Sequence, residues 1–292
     1  MSETRGPPVS VDVEHLQQWI HNEPVVLTET LDLRPALGMA AMLDQSHGPS
    51  LGMALPPLWH WVYFTPAPLA SELGADGHPV RGGFLPPVPL PRRMWAASSL
   101  SFHNPLYLGE TVQKHSRVNK VELKQGNAGP LVFLTVEHKY SVNKELRISE
   151  EQTIVYVSLN RGKDQTKSKE HPEQSVWSKC IQPDPVLLFR YSALMANTHR
   201  IHYDRDYAVG VEHHGGLVVQ GPLTATLLAE LLRERFPSLR LTEFSFRALR
   251  PLLDTMTFTI HGKREEGGLV ALWALDADKK LAVQATARVT EI

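Results

Sequence analysis

Cysteine, long apolar runs and excess charge of either sign are all scarce in this chain of 292 residues. The one cysteine, Cys180, cannot form an internal disulfide bond, and there is no CxxC pair to bind zinc. No window of 18 or more apolar residues exists, so a membrane-spanning helix is not expected. The formal net charge of −1 gives no reason to expect a nucleic-acid partner.

The amino-terminal stretch MSETRGPPVSVDVEH lacks targeting features as well. It has no apolar core of the kind found in signal peptides, and it is too acidic for a typical transit peptide. A reducing compartment also suits a chain with a single thiol. We therefore expect a cytoplasmic protein that does not associate with a membrane.

A polar segment divides the chain into two parts. Residues 161–176, RGKDQTKSKEHPEQSV, contain one apolar residue, Val176, and cannot bury enough surface to order themselves. We interpret this segment as a linker between a first domain, residues 1–160, and a second domain, residues 177–292.

The two parts resemble each other. Each contains three strand-like runs, a turn with an acid before the first long strand (LGET at 108–111, LLDT at 252–255) and a last strand rich in Val, Ala and Thr. Any antiparallel sheet with short turns would share some of this pattern. The matched spacing of the SF, PL and acid-Thr pairs favours an internal duplication.

A helix is plain only in the second part. Residues 222–233, PLTATLLAELLR, carry leucines at helical spacing, and Pro222 suits a first helical position. In the first part, residues 36–45 are a candidate helix, and residues 76–93 are dense in Pro and Gly and indicate an irregular loop. The content predicts an α+β fold, a double hotdog in which two antiparallel sheets each wrap around a central helix.

A cluster of titratable groups, NTHRIHYD at 197–204, lies between the apolar segments around it. The surrounding stretch FRYSALMANTHRIHYDRDYA, 189–208, resembles the motif of the MaoC-like, R-specific enoyl-CoA hydratases, and His202 falls on the histidine of that motif. GLVVQGPLTA, 216–225, resembles the segment that opens the central helix of that family.

The chain departs from the family motif at three positions. Asn197 stands where the family has its catalytic aspartate, and His199 and Arg200 replace an Asn-Pro pair. This version resembles a narrower branch, the double-hotdog hydratases of itaconyl-CoA, mesaconyl-C4-CoA and 3-methylfumaryl-CoA. The resemblance implies a hydro-lyase that adds water to a dicarboxylic enoyl-CoA, with coenzyme A as part of the substrate and no separate cofactor. It leaves a homodimer open.

The resemblance also implies roles for individual residues. His202 would act as the base, because its unperturbed pKa lies near neutrality, and Asn197 would hold the attacking water. Asp204 would orient the imidazole, although a solvated loop acid is the alternative. Gly221 would donate its N–H to the thioester oxygen at the start of the helix, although a plain tight turn would look the same.

Arg200 would bind a second carboxylate of the substrate, because a guanidinium matches a carboxylate at two points. A surface salt bridge is the alternative. Other candidate substrate-binding residues are His199, Arg190, Arg247 and Arg250. The pair His213-His214 has no third ligand at metal spacing, so no metal site is expected.

Two other functions share these features. A hotdog thioesterase usually places a carboxylate on the central helix, where Glu230 is the only acid of the predicted segment, but Glu230 comes late in that helix. A non-catalytic acyl-CoA-binding scaffold could result from the loss of the aspartate at position 197. Retention of His202, Asp204 and Gly221 favours the hydratase.

Overall fold

A computed structural model of the chain describes residues 10–126, 129–158 and 175–291. The predicted linker, residues 161–176, lies outside the described residues except for its last two positions. Within the described ranges, none of the helices combines the length and the apolar character that crossing a membrane would require.

The described residues form five α-helices and ten strands. The helices are α1 (Val13–Gln17), α2 (Leu33–Met42), α3 (Pro185–Leu194), α4 (Arg205–Gly210) and α5 (Gly221–Arg235). The strands of the first part are β1 (Val25–Thr30), β2 (Arg92–Phe102), β3 (Thr111–Gly126), β4 (Gly129–Val142) and β5 (Glu145–Val157). Those of the second part are β6 (Trp177–Ile181), β7 (Leu239–Ala248), β8 (Phe258–Arg264), β9 (Leu269–Leu275) and β10 (Leu281–Glu291).

All ten strands belong to one sheet. Their spatial order is β1-β3-β4-β5-β2-β7-β10-β9-β8-β6, and every strand pairing is antiparallel. The prediction of two separate sheets is therefore wrong. β2 and β7 join the two parts, with Ala97 opposite Arg247 and Ser101 opposite Glu243. This pairing satisfies two edges whose N–H and C=O groups would otherwise lack partners.

The strand order repeats from the first part to the second. The first five strands lie in the order 1-3-4-5-2, and the second five lie in the order 6-8-9-10-7. In each part the second strand lies at the centre of the full sheet. The two parts therefore share one topology and meet through equivalent strands.

Helix α5 is the central helix of the second part. It begins one residue before and ends two residues after the predicted segment 222–233. It packs against β8, β9 and β10, and ten of its fifteen residues are buried. A helix that is apolar on most faces needs such surroundings on all sides. The last turn carries Arg233 and Arg235, whose charges suit the negative end of the helix dipole.

The first part has no equivalent of α5 among its described residues. The predicted helix near residues 36–45 is α2, but its main packing partners are α3 and a 3₁₀ turn, Trp59–Val62. That turn is buried on the inner face of the first five strands, where Trp61 Nε1 donates to Glu150 Oε2 at 3.1 Å. The expectation of a central helix in each part is met only in the second, because aromatic side chains fill the first.

Candidate active site

His202 lies in a 3₁₀ turn, Arg200–His202, directly beside the chain that leads into α5. Its Nδ1 donates to the carbonyl oxygen of Val218 at 2.7 Å, and the N–H of Val218 donates to Ile201 O at 2.9 Å. A carbonyl oxygen can only accept, so the proton of the neutral imidazole is on Nδ1 and Nε2 keeps its lone pair. Nε2 is therefore free to act as a base.

Burial keeps this imidazole neutral. His202 is 7% exposed. Burial lowers its pKa to about 3, and the nearby charge of His199 lowers it further, against the opposing effect of the Val218 carbonyl. At neutral pH the side chain is thus a neutral hydrogen-bond acceptor toward any molecule that reaches Nε2.

The amino terminus of α5 begins three residues after Val218, at Gly221, as predicted. The first intrahelical bond runs from Thr224 N to Gln220 O, so the N–H of Gly221 has no partner within the helix. A β-carbon on Gly221 would lie 3.4 Å from Trp95 O, which makes larger residues a tight fit. This helix end can bind an oxygen that carries negative charge.

Asn197 stabilises the turn that carries the motif. Its Oδ1 accepts from the backbone N–H of His199 at 3.1 Å, and its own N–H donates to Ser192 O at 2.8 Å. The side-chain oxygen keeps a second lone pair, so both it and the amide NH₂ can contact water. The role of Asn197 in holding a water molecule stays a prediction.

Asp204 does not orient the imidazole, and that expectation is wrong. Its Oδ1 caps α4 by accepting from Tyr207 N at 3.0 Å, and its Oδ2 accepts from Arg200 Nε and Nη2 at 2.9 and 2.7 Å. The hydrogen bond from Tyr207, followed by those from Arg200, lowers the pKa of Asp204. The Val218 carbonyl orients His202 instead.

Arg200 forms the salt bridge that was the alternative to a substrate contact. Besides Asp204 it binds Ala75 O through Nη1 at 3.0 Å, and its guanidinium lies 4.2 Å from the centroid of the Tyr207 ring. All of the fork is engaged on a side chain that is 39% exposed. The expectation that Arg200 binds a substrate carboxylate is therefore corrected.

A loop of the first part, residues 74–78, docks on the motif. Arg200 N donates to Asp76 O at 2.9 Å, and the hydroxyl of Thr198 donates to Gly77 O. Gly77 has φ +87°, and a β-carbon there would lie 1.9 Å from Thr198 O. Only glycine permits this approach. The loop brings Asp76 and His78 to the motif across 121 positions of sequence.

Asp76 and His78 form an acid–imidazole pair. Nδ1 of His78 lies 3.0 Å from Asp76 Oδ2, and the backbone N–H of His78 donates to Oδ1 at 3.0 Å. Burial lowers the pKa of His78 to about 4 despite the carboxylate. Burial alone would raise the pKa of Asp76, but the hydrogen bonds from His78 outweigh it, and the pKa is lowered to about 2.

His199 connects this pair to His202. Its ring centroid lies 4.1 Å from that of His78 and 5.4 Å from that of His202. Its Nε2 lies 3.3 Å from Glu212 Oε1, and Arg92 Nε donates to Glu212 Oε2 at 3.0 Å. His199 therefore lies between two other imidazoles, with one nitrogen held by a buried acid.

Glu212 balances the charge beneath the three imidazoles. It is 4% exposed, and His214 Nε2 also lies 3.5 Å from its Oε2. Burial would raise the pKa of Glu212, but the hydrogen bond from His199, the nearby His214 imidazole and the charge of Arg92 hold it well below its usual range. The carboxylate stays ionised and fixes the orientation of its neighbours.

A metal ion would find one donor set in the described part of the chain. The ligand atoms of Asp76, His78 and His199 lie within 4.8 Å of one another. Two imidazoles and a carboxylate suit several transition metals. The two rings are inclined by only 37°, and each imidazole already has a carboxylate partner. The absence of a metal stays a prediction, which metal analysis of the purified protein would test.

The remaining predicted residues lie elsewhere. Arg190 is exposed on α3, and Arg247 is exposed on β7, opposite Gln284. Arg250 follows β7, where its N–H donates to Ala282 O at 3.1 Å. These positions give no support to a role for Arg190 or Arg247 in binding substrate.

Glu230 is occupied in a way that argues against a thioesterase. Its Oε1 accepts from Trp59 Nε1 at 2.9 Å, and its Oε2 accepts from Gln45 Nε2 at 2.9 Å and from Arg233. The side chain is buried, with all its oxygens bonded to protein. It stabilises the packing of α5 and is not available to attack a thioester.

Several residues of the site were missed by sequence reasoning. They are Asp76, His78, Arg92, Arg93, Glu212 and Gln220. Asp76 and His78 carried a weak signal, an Asp-Gly-His triplet inside a loop otherwise made of Pro and Gly. Gln220 donates to Leu188 O and Ser192 Oγ at 2.8 and 2.9 Å, and among the described residues nothing binds its buried Oε1.

Comparison with known proteins identifies the family. The family model for hydroxyacyl-thioester dehydratase type 2 matches residues 58–254, a span that contains the docked loop, the motif and α5. The chain belongs to this family. The hydroxyacyl-thioester dehydratases of type 2 are hydro-lyases, so the chain is an enzyme of that type, and the resemblance to MaoC-like hydratases is confirmed.

Individual relatives agree with this assignment. The chain is 43% identical to mesaconyl-C(4)-CoA hydratase of Chloroflexus aurantiacus over 87% of its own length and 91% of the relative's. It is 32% identical to the mitochondrial hydroxyacyl-thioester dehydratase type 2 of Schizosaccharomyces pombe, over 68% and 74% of the two chains. A MaoC-like dehydratase structure from Phytophthora capsici shares the fold, with a TM-score of 0.65, 16% identity and coverage of 97% and 100%.

Proposed function

We propose that this dehydratase-family enzyme hydrates a dicarboxylic enoyl-CoA thioester of the mesaconyl-C4-CoA type. The observation that carries the proposal is the 43% identity with a mesaconyl-C(4)-CoA hydratase across nearly the whole of both chains. Itaconyl-CoA, which has the same number of acyl carbons and a second carboxylate, belongs to the same chemical class. The chain's own residues perform the reaction without a metal or a separate cofactor.

The chemistry uses two groups at the start of α5. Nε2 of His202 takes a proton from water as the water oxygen attacks the β-carbon, and it returns that proton to the α-carbon. The N–H of Gly221 donates to the thioester oxygen, where negative charge develops during the attack. The 2.7 Å bond from His202 to Val218 supports this assignment, because it places the imidazole beside the same helix end.

Arg93, not Arg200, binds the free carboxylate of the substrate. It lies on β2 and is partly buried, and its charge contributes to the lowered pKa of His78. Among the described residues no hydrogen bond or ion pair engages its guanidinium, whereas its neighbour Arg92 is taken up by Glu212. A charge-assisted pair with a substrate carboxylate contributes roughly 1.5–3 kcal/mol.

The test compares a dicarboxylic substrate with crotonyl-CoA, which lacks the second carboxylate. Loss of the enoyl-thioester absorbance without release of thiol identifies a hydratase, thiol release identifies a thioesterase, and neither signal identifies a scaffold. Arg93→Ala should lower kcat/KM by about 10- to 150-fold on mesaconyl-C4-CoA and leave crotonyl-CoA almost unchanged. Arg288→Ala, which removes an exposed arginine of β10, is the matched control.

Equal effects of Arg93→Ala on both substrates would remove Arg93 from carboxylate binding. A wild-type preference for crotonyl-CoA would remove the dicarboxylic assignment and leave the family membership intact.

We propose that the chain is a modified double hotdog, with domains at residues 1–160 and 177–292 joined in one sheet and a central helix in the second domain. The repeated strand order supports this division. A protease site inserted between residues 161 and 176 tests it, because the two fragments should co-elute and keep their activity after cleavage. A homodimer is left open, and light scattering, which gives the mass in solution, tests it.

A further inference from the structure

The family motif contains an acid that this chain lacks. A base positioned to take the proton of the attacking water speeds the addition of water to an enoyl thioester, and a second group that binds the water fixes the direction of attack. The position of that acid is Asn197, whose amide cannot accept a proton and whose oxygen is bound to the N–H of His199. The loop that docks on the motif, residues 74–78, offers a second group that can accept a proton.

We propose that His78, from the first part of the chain, is that second acceptor, and that Asp76 is its positioning residue. The proposal rests on the proposed hydration chemistry but not on the identity of the acyl chain. Two ring-to-ring steps, 4.1 Å to His199 and 5.4 Å onward, connect His78 to His202. His78 and His202 are thus the two ends of a row of three neighbouring imidazoles, with His199 between them.

His78 and His202 share one tautomer, because Nδ1 of each ring faces an acceptor oxygen. In His202 a carbonyl oxygen holds Nδ1, and in His78 the carboxylate of Asp76 holds Nδ1 at 3.0 Å. An ionised carboxylate accepts only, so the proton of His78 is on Nδ1 and its Nε2 carries a lone pair. Two neutral imidazoles with free Nε2 atoms can each accept one O–H of the same water.

The proton balance closes without a further reactant. One water O–H bond breaks, its proton goes to Nε2 of one imidazole, and the oxygen forms a bond to the β-carbon. The π electrons move to the α-carbon and the thioester oxygen. The imidazolium then returns the proton to the α-carbon, which leaves both histidines neutral. The second imidazole holds the other O–H and aims the oxygen lone pair.

The loop that carries His78 is built for accurate placement. Three hydrogen bonds tie it to the motif: Arg200 N to Asp76 O, Arg200 Nη1 to Ala75 O, and the Thr198 hydroxyl to Gly77 O. A loop with only a packing role would not need a glycine whose β-carbon would overlap a carbonyl oxygen of the motif. His78 is also 20% exposed at its side chain, so small molecules can reach its place.

His78→Ala and imidazole rescue provide the test. His78→Ala should lower kcat by roughly 10²-fold or more. Added imidazoles should restore part of the rate, and the restored rate should rise with the pKa of the imidazole used. His78→Gln should remain slow and should not be rescued. His213→Asn, an exposed histidine next to Glu212 in sequence, is the control that should keep wild-type kcat.

A cycle with Asp76→Asn tests the positioning role. This substitution should lower kcat about tenfold when His78 is present and cause no further loss in the His78→Gln background. Additive losses would mean that Asp76 acts independently of His78.

Three results would overturn the proposal. They are a kcat of His78→Ala within about threefold of wild type, rescue that does not depend on the pKa of the added imidazole, and a tightly bound metal that wild type contains and His78→Ala lacks. All rates are measured on both mesaconyl-C4-CoA and crotonyl-CoA. A failed substrate assignment thus leaves the His78 test readable on whichever thioester the wild type hydrates.

Discussion

Gly77→Ala should disable the enzyme from a position that touches no substrate. The added β-carbon would lie 1.9 Å from Thr198 O, in a backbone conformation with φ +87°. The Thr198 carbonyl and the loop cannot move far enough apart to remove this overlap and still keep the hydrogen bonds between them. The loop must therefore separate from the motif, and Asp76 and His78 must move with it.

The expected magnitude follows from two contributions. The left-handed conformation costs alanine roughly 1–2 kcal/mol. The three hydrogen bonds between loop and motif contribute roughly 0.5–1.5 kcal/mol each, so separation adds a few kcal/mol more. A displacement of about 1 Å in an active site can lower the rate by about 10²-fold, and we expect a fall of that size in kcat.

Gly82→Ala is the matched control for the backbone conformation. Gly82 lies a few residues after the docked loop, with φ +95°, but its β-carbon would meet only Pro87, at 3.8 Å. It therefore carries the conformational cost without the overlap. Both variants are measured by kcat on the preferred thioester and by thermal melting, at a temperature where each is fully folded.

The ratio of the two kcat values tests whether docking of the loop builds the site. Gly77→Ala should be at least about thirtyfold slower than Gly82→Ala, while both melt below wild type. Equal kcat values would show that docking of the loop does not build the site, and the case for His78 would fall with it.

Three further predictions concern the motif and its surroundings. His202→Gln should lower kcat by roughly 10²- to 10⁴-fold on every substrate, with thermal melting as the check on folding. Arg200→Ala should lower kcat/KM equally on mesaconyl-C4-CoA and crotonyl-CoA, because its guanidinium binds Asp204 and the carbonyl of Ala75 and not the substrate. The free energy of unfolding should fall as pH drops from 6.5 toward 4. In the folded protein the pKa values of His78 and His138 are lowered to about 4, whereas the unfolded chain takes up protons on these histidines near 6.5. Each histidine should therefore cost roughly 1.4 kcal/mol of stability per pH unit in this range. Urea titrations at several pH values measure it, and a flat profile would contradict the neutral state of these imidazoles.

The features that the sequence predicted well are local. The leucine spacing of residues 222–233 and the position of Pro222 predict α5 to within two residues at each end. The motif places His202 beside that helix because the two segments are close in sequence. The pairing of Arg200 with Asp204 was also readable, since residues four apart on a turn can meet.

The features that the sequence did not predict are contacts between distant segments. The pairing of β2 with β7 depends on which edges are left open after each half has folded, and strand periodicity does not encode that choice. The docking of residues 74–78 on the motif likewise joins Gly77 to Thr198 across 121 positions. A loop of glycines and prolines is ordinarily a connection, so its acid and histidine carried little signal until the fold brought them to the site.

The first part of the chain has a packed aromatic interior and contributes to the site of the second part only at their border. Its interior is filled by His60 and Trp61 around the buried Glu150, where the second part has its central helix. Among its described residues no helix occupies the place that α5 has in the second part. What it provides lies at its border with the second part: the docked loop, and β2, whose Trp95 carbonyl lies against Gly221. The docked loop thus carries Asp76 and His78 of the first part to the motif of the second part.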